Sequence, residues 1–201
     1  MKRLTSFLFC LFLLGTEILY SQNYIYTPQD FANMVPNGSY ILMDDITVTQ
    51  MYTQTFTGQF NGNNKKITVQ INENITNVGL FSQIDGNGRI DSLIVDGYVI
   101  GGQNSQYVGG IVGEVIYGMI SNCTNLADVI GESAMSSVGG IVGAVNGDVV
   151  IHQGINNGIN GRHKFAICFW QSLSAVISSA EHYISSDRIA CSSTDISGPE
   201  S

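Results

Sequence analysis

Three segments of the chain share the pattern that decides its fold: Val78-Gly79-Leu80-Phe81, Val108-Gly109-Gly110-Ile111-Val112-Gly113 and Val138-Gly139-Gly140-Ile141-Val142-Gly143. They begin 30 residues apart. The same period relates further positions, namely Ile90, Ile120 and Val150, then Val99, Val129 and Ile159, then Gly101, Gly131 and Gly161. We call each set of residues that are one period apart a column. Several columns with the same period indicate an internal repeat in which each unit packs on the next.

The composition of each unit favours strands over helices. Short β-branched runs, at about 78–84, 89–95 and 97–100 in the first unit, are separated by turn sequences such as Asp85-Gly86-Asn87-Gly88. Pairs of helices would need long stretches of Ala, Leu, Glu and Lys without Gly, which these units lack. The sequence therefore predicts an all-β protein: a parallel β-solenoid with coils of about 30 residues and three short strands per coil.

Two local features fit aligned Ile and Val columns inside such a solenoid. Cys123 falls in the column of Leu93, where a small hydrophobic residue would face the interior. Gly109, Gly110 and Gly113 predict a bulge or a close approach of backbone segments. Neither a Lys-Ser/Thr pair nor a helical pattern follows these glycines, so the sequence does not indicate a nucleotide-binding loop.

The composition excludes several other classes of protein. Charged residues make up 12% of the 201 residues, and the net charge is −8. So few charges exclude a coiled coil and a charge-rich disordered polymer, and the negative sign argues against nucleic acid and anionic lipid as partners. The glycines lack the every-third-residue spacing of collagen.

The first 21 residues resemble a signal peptide. Lys2 and Arg3 precede the apolar stretch Phe7 to Leu14, and Ser21 is a small residue at a plausible cleavage site. An uncleaved membrane anchor is the alternative, but the apolar stretch is short and Glu17 follows it. We therefore expect a secreted or cell-surface protein with a signal peptide at 1–21, no lipid anchor at Cys10 and no membrane span after signal removal.

The repeat resembles the GLUG-motif family of bacterial surface and secreted proteins. The segment at 78–81 is similar to the family's first element, the hexapeptides at 108–113 and 138–143 to its later ones, and Ile120-Ser121-Asn122-Cys123 to its isoleucine-serine-asparagine-cysteine run. The lead-in around 40–63 is also similar, with Asn61 where aspartate is usual. The resemblance covers about Thr27 to Gly161 and implies surface adhesion or display. It supplies no catalytic residue.

A short helix is predicted before the first coil. Thr27 reads as the N-cap, Pro28 as the first helical residue and Asp30 as the acid of a capping box. Phe31, Met34 and Val35 would form its apolar face. We interpret the helix as an N-terminal cap that protects the first coil, within a solenoid domain spanning residues 22–161.

The repeat stops near Gly161, and residues 162–201 form a tail without the pattern. Apolar residues recur at helical spacing over 165–184, which predicts an amphipathic helix, and residues 185–201 are expected to be disordered. Two explanations stay open. The helix caps the last coil, or a reading-frame change replaced further coils with unrelated residues.

Neither the cysteines nor the histidines indicate a site. The mature chain would retain Cys123, Cys168 and Cys191, an odd and widely spaced set, and the histidines at 152, 163 and 182 are scattered. We therefore predict no disulfide framework, no metal ligands, no catalytic residues and no cofactor.

The carboxylates also fail to form a pattern of catalytic pairs. Asp85, Asp91, Asp96, Asp128 and Asp148 are spread over turns and strands, and Arg89 is the only basic residue in the three regular units. Polysaccharide cleavage would need clustered carboxylates. One tight turn with Asp85 and Asn87 offers oxygens to calcium but lacks the acidic positions of a full shell.

Three functional hypotheses follow from these observations. The first is a non-catalytic secreted or cell-surface binding module, adhesin-like, whose partner is a glycan or protein of a host or bacterial surface. The second is a fragment of a larger cell-envelope adhesin. The third is a polysaccharide-active β-helix enzyme, which the scattered carboxylates disfavour, so we predict a protein that is not an enzyme.

Overall fold

The chain folds as the predicted parallel β-solenoid. A computed structural model describes residues 22–158, which form about four turns with coils of about 30 residues. The predicted signal peptide at 1–21 and the tail at 162–201, with its helix at 165–184 and its disordered end at 185–201, lie outside the described residues. So do the column positions Ile159 and Gly161.

Strands make up nearly all the regular structure. The single helix within residues 22–158 is α1, Pro28–Ala32. The strands in chain order are β1 (Gln22–Ile25), β2 (Ser39–Leu42), β3 (Ile46–Val48), β4 (Tyr52–Phe56), β5 (Gln59–Asn61), β6 (Lys66–Glu73), β7 (Asn77–Val78), β8 (Phe81–Ile84), β9 (Arg89–Asp91), β10 (Ile94–Gly101), β11 (Tyr107–Gly109), β12 (Val112–Val115), β13 (Gly118–Ser121), β14 (Thr124–Asn125), β15 (Asp128–Gly131), β16 (Ser137–Gly139), β17 (Val142–Val145), β18 (Val149–His152) and β19 (Ile155–Asn156).

Strands of successive coils pair in parallel and form four sheets. The order is β1-β2-β5-β9-β13-β18 in sheet A, β19-β14-β10-β6-β3 in sheet B with β15 also on β10, β17-β12-β8-β4 in sheet C and β16-β11-β7 in sheet D. Every pair is parallel and joins equivalent strands of neighbouring coils. Because each sheet has one face inside the coil, alternate residues are buried along strands such as β6, whereas all four residues of β17 are buried.

The first regular coil has four strands, β7 to β10, and the second has five, β11 to β15, where the sequence predicted three. The predicted strand at 78–84 is interrupted at Gly79-Leu80, so its two parts belong to sheets D and C. The predicted strand at 89–95 ends at Asp91, and β10 continues from Ile94 through Gly97, which has φ +103°. Ser92, with a left-handed φ of +54°, makes the corner between β9 and β10, whereas the break at Gly79-Leu80 has no residue with positive φ.

The predicted register holds at most repeat positions. Val108 pairs with Val78 on one side and Val138 on the other, and Ile120 lies beside Ile90. Cys123 is buried one residue before the Ile94–Thr124 pair, in the column of Leu93 as predicted.

The prediction that Val150 continues the column of Ile90 and Ile120 is wrong. Ile151 pairs with Ile120, and Val150 lies beside Met119 on the outer face. The turn at 146–148 has one residue more than the equivalent turn of the preceding coil. An insertion in a corner reverses the facing of every following residue in that strand, so a fixed period misassigns them.

The interior columns change from aromatic to aliphatic along the solenoid. In register, one column runs Tyr52, Phe81, Val112 and Val142, a second runs Tyr40, Phe60, Ile90, Ile120 and Ile151, and a third runs Phe56, Ile84, Val115 and Val145. All these side chains are buried. The coils therefore share one continuous core whose side chains become smaller towards the C-terminal end.

The predicted N-terminal helix is present, with one error in its apolar face. Thr27 caps α1 through a capping box with Asp30, and Phe31 is buried against the rings of Tyr52, Phe60 and Phe81 at 5.6–6.4 Å between centroids. Val35, predicted to be buried, is 53% exposed. The helix ends near Ala32, so helical spacing no longer places Val35 on the buried face. Strand β1, which pairs with β2, was not predicted.

The glycines of the hexapeptides allow the coils to approach each other, as predicted. A methyl group on Gly113 would lie 2.8 Å from the Ser82 oxygen and 2.8 Å from the Val78 nitrogen, both backbone atoms of the preceding coil. Neither contact leaves room for a side chain. The glycines therefore have a packing role at the junction of sheets C and D.

Candidate binding surfaces

Sheet A presents an outer face of stacked side chains, which we call the ladder face. One of its two columns contains Tyr24, Ile41, Asn61, Asp91, Ser121 and His152, and the other contains Gln22, Ser39, Gln59, Arg89, Met119 and Val150. All of these residues are exposed or partly exposed, because they alternate with the buried residues of the same strands. Parallel pairing spaces neighbours in each column by about 4.8 Å.

Asp91 is the centre of a hydrogen-bond network on the ladder face. Its carboxylate accepts hydrogen bonds from Ser92 Oγ and Ser121 Oγ, both at 2.6 Å, and from Asn122 Nδ2 at 2.8 Å. Burial alone would raise the pKa of Asp91, but the hydrogen bonds from Ser121, Ser92 and Asn122 together lower it below its ordinary value. Asp91 is therefore a fixed anion that ties two coils together.

The corner beside this network explains the Ile-Ser-Asn-Cys run. Ser92, Asn122 and Gln153 each have a left-handed backbone, with φ of 54°, 52° and 51°, and each directly follows a strand of sheet A. This conformation turns the chain into sheet B, and asparagine tolerates it better than most residues. Ile120 and Cys123 on either side are buried in the core. Each residue of the run thus has a separate structural role.

The ladder face brings together an aspartate, a serine and a histidine that sequence spacing did not connect. Asp91, Ser121 and His152 are consecutive in one column. The serine hydroxyl donates directly to the Asp91 carboxylate at 2.6 Å. In a hydrolytic triad the histidine lies between the serine and the acid and accepts the serine proton. This order of residues does not provide that arrangement.

The other carboxylates named in the sequence analysis are not brought together. Asp96 forms an ion pair with Lys66 at 3.3 Å, and Asp85 accepts a hydrogen bond from the Gly86 amide of its own turn. Asp128 lies in β15, and Asp148 is exposed in the turn before β18. Arg89 is exposed on the ladder face. Within residues 22–158, no group of three His, Cys, Asp or Glu side chains could hold a metal ion.

A second polar column, missed in the sequence, lies on the outer side of sheet C. Thr55 Oγ1 donates to Gln83 Oε1 at 2.7 Å, and Gln83 Nε2 donates to Glu114 Oε2 at 2.6 Å. Glu114 also accepts from Asn77 Nδ2 at 2.8 Å and from Asn146 Nδ2. Thr55, Gln83 and Glu114 are register partners on sheet C, while Asn77 is in β7 and Asn146 follows β17. Only the stacking of coils brings these residues together. Their hydrogen bonds are used within the protein, which leaves less for a ligand.

Sheet B exposes a more apolar surface. Tyr98, Leu126, Ile130 and Ile155 are 39–53% exposed on its outer side. Thr68, Gln70 and Asn72 on β6 give the same sheet a polar N-terminal part. Scattered apolar residues of this kind are normal on protein surfaces.

Two interior residues have structural rather than chemical roles. Burial raises the pKa of the Cys123 thiol to about 12, and its Sγ lies 3.0 Å from the Ser121 carbonyl oxygen, so the thiol is protonated and inert at neutral pH. Asn125, which the sequence analysis missed, is fully buried, and its amide bonds to Ala127 N, Ala127 O and Asn156 Oδ1. Asn156 lies beside it in register, which gives a short asparagine ladder.

Comparison with known proteins identifies the repeat. A family model described as the GLUG motif matches residues 104–130, one coil from the turn before β11 into β15. The resemblance predicted from the hexapeptide and the Ile-Ser-Asn-Cys run is thus confirmed, and this protein contains a GLUG repeat. No curated protein and no solved structure matches the chain. Among residues 22–158, no helix is long and apolar enough to cross a membrane.

Proposed function

We propose that this GLUG-repeat protein is a non-catalytic binding module of the cell exterior and that its ladder face binds a surface glycan. The observation behind the proposal is the regular array of accessible side chains on sheet A. Six parallel strands give that face a length of about 24 Å. A rigid face of this length suits an extended repeating ligand better than a compact one.

The side-chain chemistry of the ladder face supports a sugar ligand. Gln22, Gln59 and Asn61 are exposed amides, a group that both donates and accepts hydrogen bonds, as sugar hydroxyl groups require. Gln22 Oε1 already accepts from Ser39 Oγ and Asn61 Oδ1 from the Asn63 amide, while the Gln59 side chain has no hydrogen bond within residues 22–158. Tyr24, 53% exposed, adds an aromatic surface with a polar end. Because both signs of charge are present, in Arg89 and Asp91, the face does not select a strongly charged polymer.

The absence of a catalytic arrangement among the described residues favours binding over cleavage. Ser121 is bound to Asp91, and Asp96 is paired with Lys66. Glycosidases need two carboxyl groups facing each other across the substrate, about 5–10 Å apart, one of them able to donate a proton. Hydrogen bonds that lower the pKa of Asp91 make it a poor proton donor.

Export and surface exposure are part of the same proposal and depend on residues 1–21. Amino-terminal sequencing of the protein purified from cells tests this part: a mature chain that begins at Gln22 supports export. Retention of residues 1–21 would favour the membrane-anchor alternative. The second functional hypothesis, a module of a larger adhesin, predicts the same ladder-face binding and differs only in what the module is joined to.

A polysaccharide and matrix-protein array with the purified mature chain tests the proposed ligand class. We expect binding to at least one extended glycan, weakened at least about 5-fold by Tyr24→Ala and by Gln59→Ala. Gln70→Ala on sheet B is the matched control, since it removes another exposed strand glutamine from a different face. Equal effects of Gln59→Ala and Gln70→Ala would contradict the ladder face, and cleavage of a glycan would contradict the non-catalytic function.

A further inference from the structure

A pocket lies away from the ladder face, at the N-terminal end of the solenoid. It has a volume of about 350 Å³ and is lined by Phe31 and Ala32 of α1, residues 50–54 around the start of β4, and Glu73 at the end of β6. The corner before β4 and the helix form its two sides. None of these residues belongs to the ladder face.

The floor of the pocket is rigid and apolar. Phe31, Met51 and Tyr52 are 2–6% exposed, and Phe31 packs edge-on against Tyr52 with 6.4 Å between ring centroids. Tyr52 also contacts Phe56 and Phe81 within the aromatic part of the core. Side chains held on several sides in this way do not move to fill the pocket.

The rim of the pocket supplies polar groups that the protein itself does not use. Gln50, Thr53 and Gln54 are exposed, and their side chains have no hydrogen-bond partner within residues 22–158. The Glu73 carbonyl accepts hydrogen bonds from Gly102 N and Ser105 Oγ, while its carboxylate has no partner among the same residues. The contrast with sheet C is clear, because there Gln83 and Glu114 bond to each other.

One of the residues that line the pocket, Tyr52, also carries a buried polar group. Tyr52 is 4% exposed, and its hydroxyl is buried without a hydrogen-bond partner among the described residues. Burial, and to a smaller extent the nearby Tyr40, raises the pKa of Tyr52 to about 12, so the hydroxyl stays protonated. Unpaired buried polar groups are uncommon in folded proteins. This hydroxyl is too buried to count among the rim groups that a ligand would contact.

Charge limits the ligand that the pocket can take. No basic residue is among the eight that line it, Glu73 is acidic, and the whole chain has a net charge of −8. An anionic ligand would therefore be repelled. The pocket instead matches a neutral molecule with one apolar face and a hydroxylated edge.

We propose that this pocket binds the terminal residue of a neutral saccharide, with the apolar face of the sugar ring on the floor and its hydroxyl groups at the rim. The Glu73 carboxylate accepts hydrogen bonds from sugar hydroxyl groups, and the Gln50 and Gln54 amides both donate and accept them. A volume at the lower end for ligand pockets accommodates a chain end rather than an extended polymer. The ligand class rests on the proposed function, but the site is separate from the ladder face.

The test is a titration of the purified mature chain, labelled with ¹⁵N, with four neutral probes: methyl α-mannoside, methyl β-galactoside, N-acetylglucosamine and maltose. We expect at least one probe to shift the amide resonances of residues 50–54, with a dissociation constant in the millimolar range that is usual for a single small sugar in a shallow site. No shift at these residues with any probe up to about 20 mM would overturn the proposal.

Matched variants decide whether the pocket side chains are responsible. Gln54→Ala and Glu73→Gln should each weaken binding of the responding probe at least about 5-fold, while Gln70→Ala should leave it unchanged. Gln54 and Gln70 are both exposed strand glutamines, so Gln70→Ala is the matched control for Gln54→Ala. Similar affinities of Gln54→Ala and Gln70→Ala would overturn the proposal, and thermal melting of each variant shows that the fold is kept.

The same variants separate this inference from the proposed function. In one outcome, extended glycans still bind to Gln54→Ala but not to Tyr24→Ala, and none of the four small probes binds. This result would overturn saccharide binding in the pocket and support glycan binding on the ladder face. Small probes that bind in the pocket while Tyr24→Ala and Gln59→Ala have no effect on extended glycans would support the pocket and contradict the ladder face.

Discussion

The first coils and the last coils of the solenoid fill the same interior in different ways. The aromatic region, residues 27–84, places rings in the three core columns and adds Phe31 from α1. The aliphatic region, residues 105–158, places Val and Ile at the equivalent positions and brings the backbones of neighbouring coils together through glycine. The regions therefore differ in the size of the side chains that fill the core columns, whereas glycines without room for a side chain occur in both, at Gly58 and Gly62 as well as at Gly113.

The two regions also differ in how they treat buried polar groups. In the aromatic region the Tyr52 hydroxyl is buried without a partner among the described residues. In the aliphatic region the Asn125 amide is fully buried and bonds to Ala127 and Asn156. Asn77 Oδ1, in β7, is also buried without a partner among the described residues. Stacking therefore satisfies the polar group at Asn125, where Asn156 is the register neighbour, but not at Asn77, whose register neighbour is Tyr107.

Replacing one residue of the same core column in each region should give the largest contrast. Phe81→Ala removes a ring that contacts Phe31, Tyr52, Phe56 and Phe60, and we expect it to lower the free energy of unfolding by about 3–5 kcal/mol. Val112→Ala, its direct strand neighbour, should cost about 2 kcal/mol because it removes only two methyl groups. Urea denaturation of both variants measures the difference. Equal losses of unfolding free energy would contradict the view that the aromatic rings pack the first coils more extensively than Val and Ile pack the later ones.

A second pair of variants compares the two reasons for which a glycine is required, namely close contact with another coil and a positive φ. Gly113→Ala would place a methyl group 2.8 Å from two backbone atoms of the preceding coil, and we expect a loss of about 2–3 kcal/mol. Gly86→Ala has no atom closer than 3.8 Å, but its φ of +64° should cost about 1 kcal/mol. Denaturant melts test this order. A smaller loss for Gly113→Ala than for Gly86→Ala would show that the coils can move apart.

Removing the Tyr52 hydroxyl should raise the stability of the fold, whereas removing the Asn125 amide should lower it. Tyr52→Phe deletes an unpartnered hydroxyl, so we expect a gain of about 1 kcal/mol. Asn125→Val introduces the residue that occupies its column at Val95, yet it leaves the Ala127 amide and carbonyl without partners and should cost about 1–3 kcal/mol. Thermal melting follows both changes. Destabilisation by Tyr52→Phe would mean that its hydroxyl has a partner that contributes to the fold.

The smallest effect is expected at Asp91, where the first regular unit is joined to the second. Because hydrogen bonds lower its folded-state pKa, its stabilising contribution is present above the unfolded value of about 3.8 and is lost as the pH falls through the folded value. The carboxylate is largely solvated, so this contribution should stay below about 1 kcal/mol. Asp91→Asn should therefore be less stable than the native chain at pH 7, and the difference should shrink near pH 2. A difference independent of pH would contradict the role of the charge.

The sequence alone was sufficient to predict the repeat and the class of fold. Aligned Val, Ile and Gly residues at a constant period, with turns between short β-branched runs, specify stacked strands because only stacking buries such columns. The cap of α1 was also readable, since Thr27, Pro28 and Asp30 act within one turn of chain. Cys123 was correctly placed inside because its column contains Leu93.

Only the tertiary structure decided which residues share a surface. One extra residue in the turn at 146–148 moved Ile151 into the core and Val150 to the outside, and a fixed period could not detect it. Asp91, Ser121 and His152 are about 30 residues apart in sequence but adjacent in one column, and the pocket joins α1 to β4 and β6. Corners set the register and coil stacking creates neighbours between distant residues, so the candidate sites follow from the folded chain and not from any local motif.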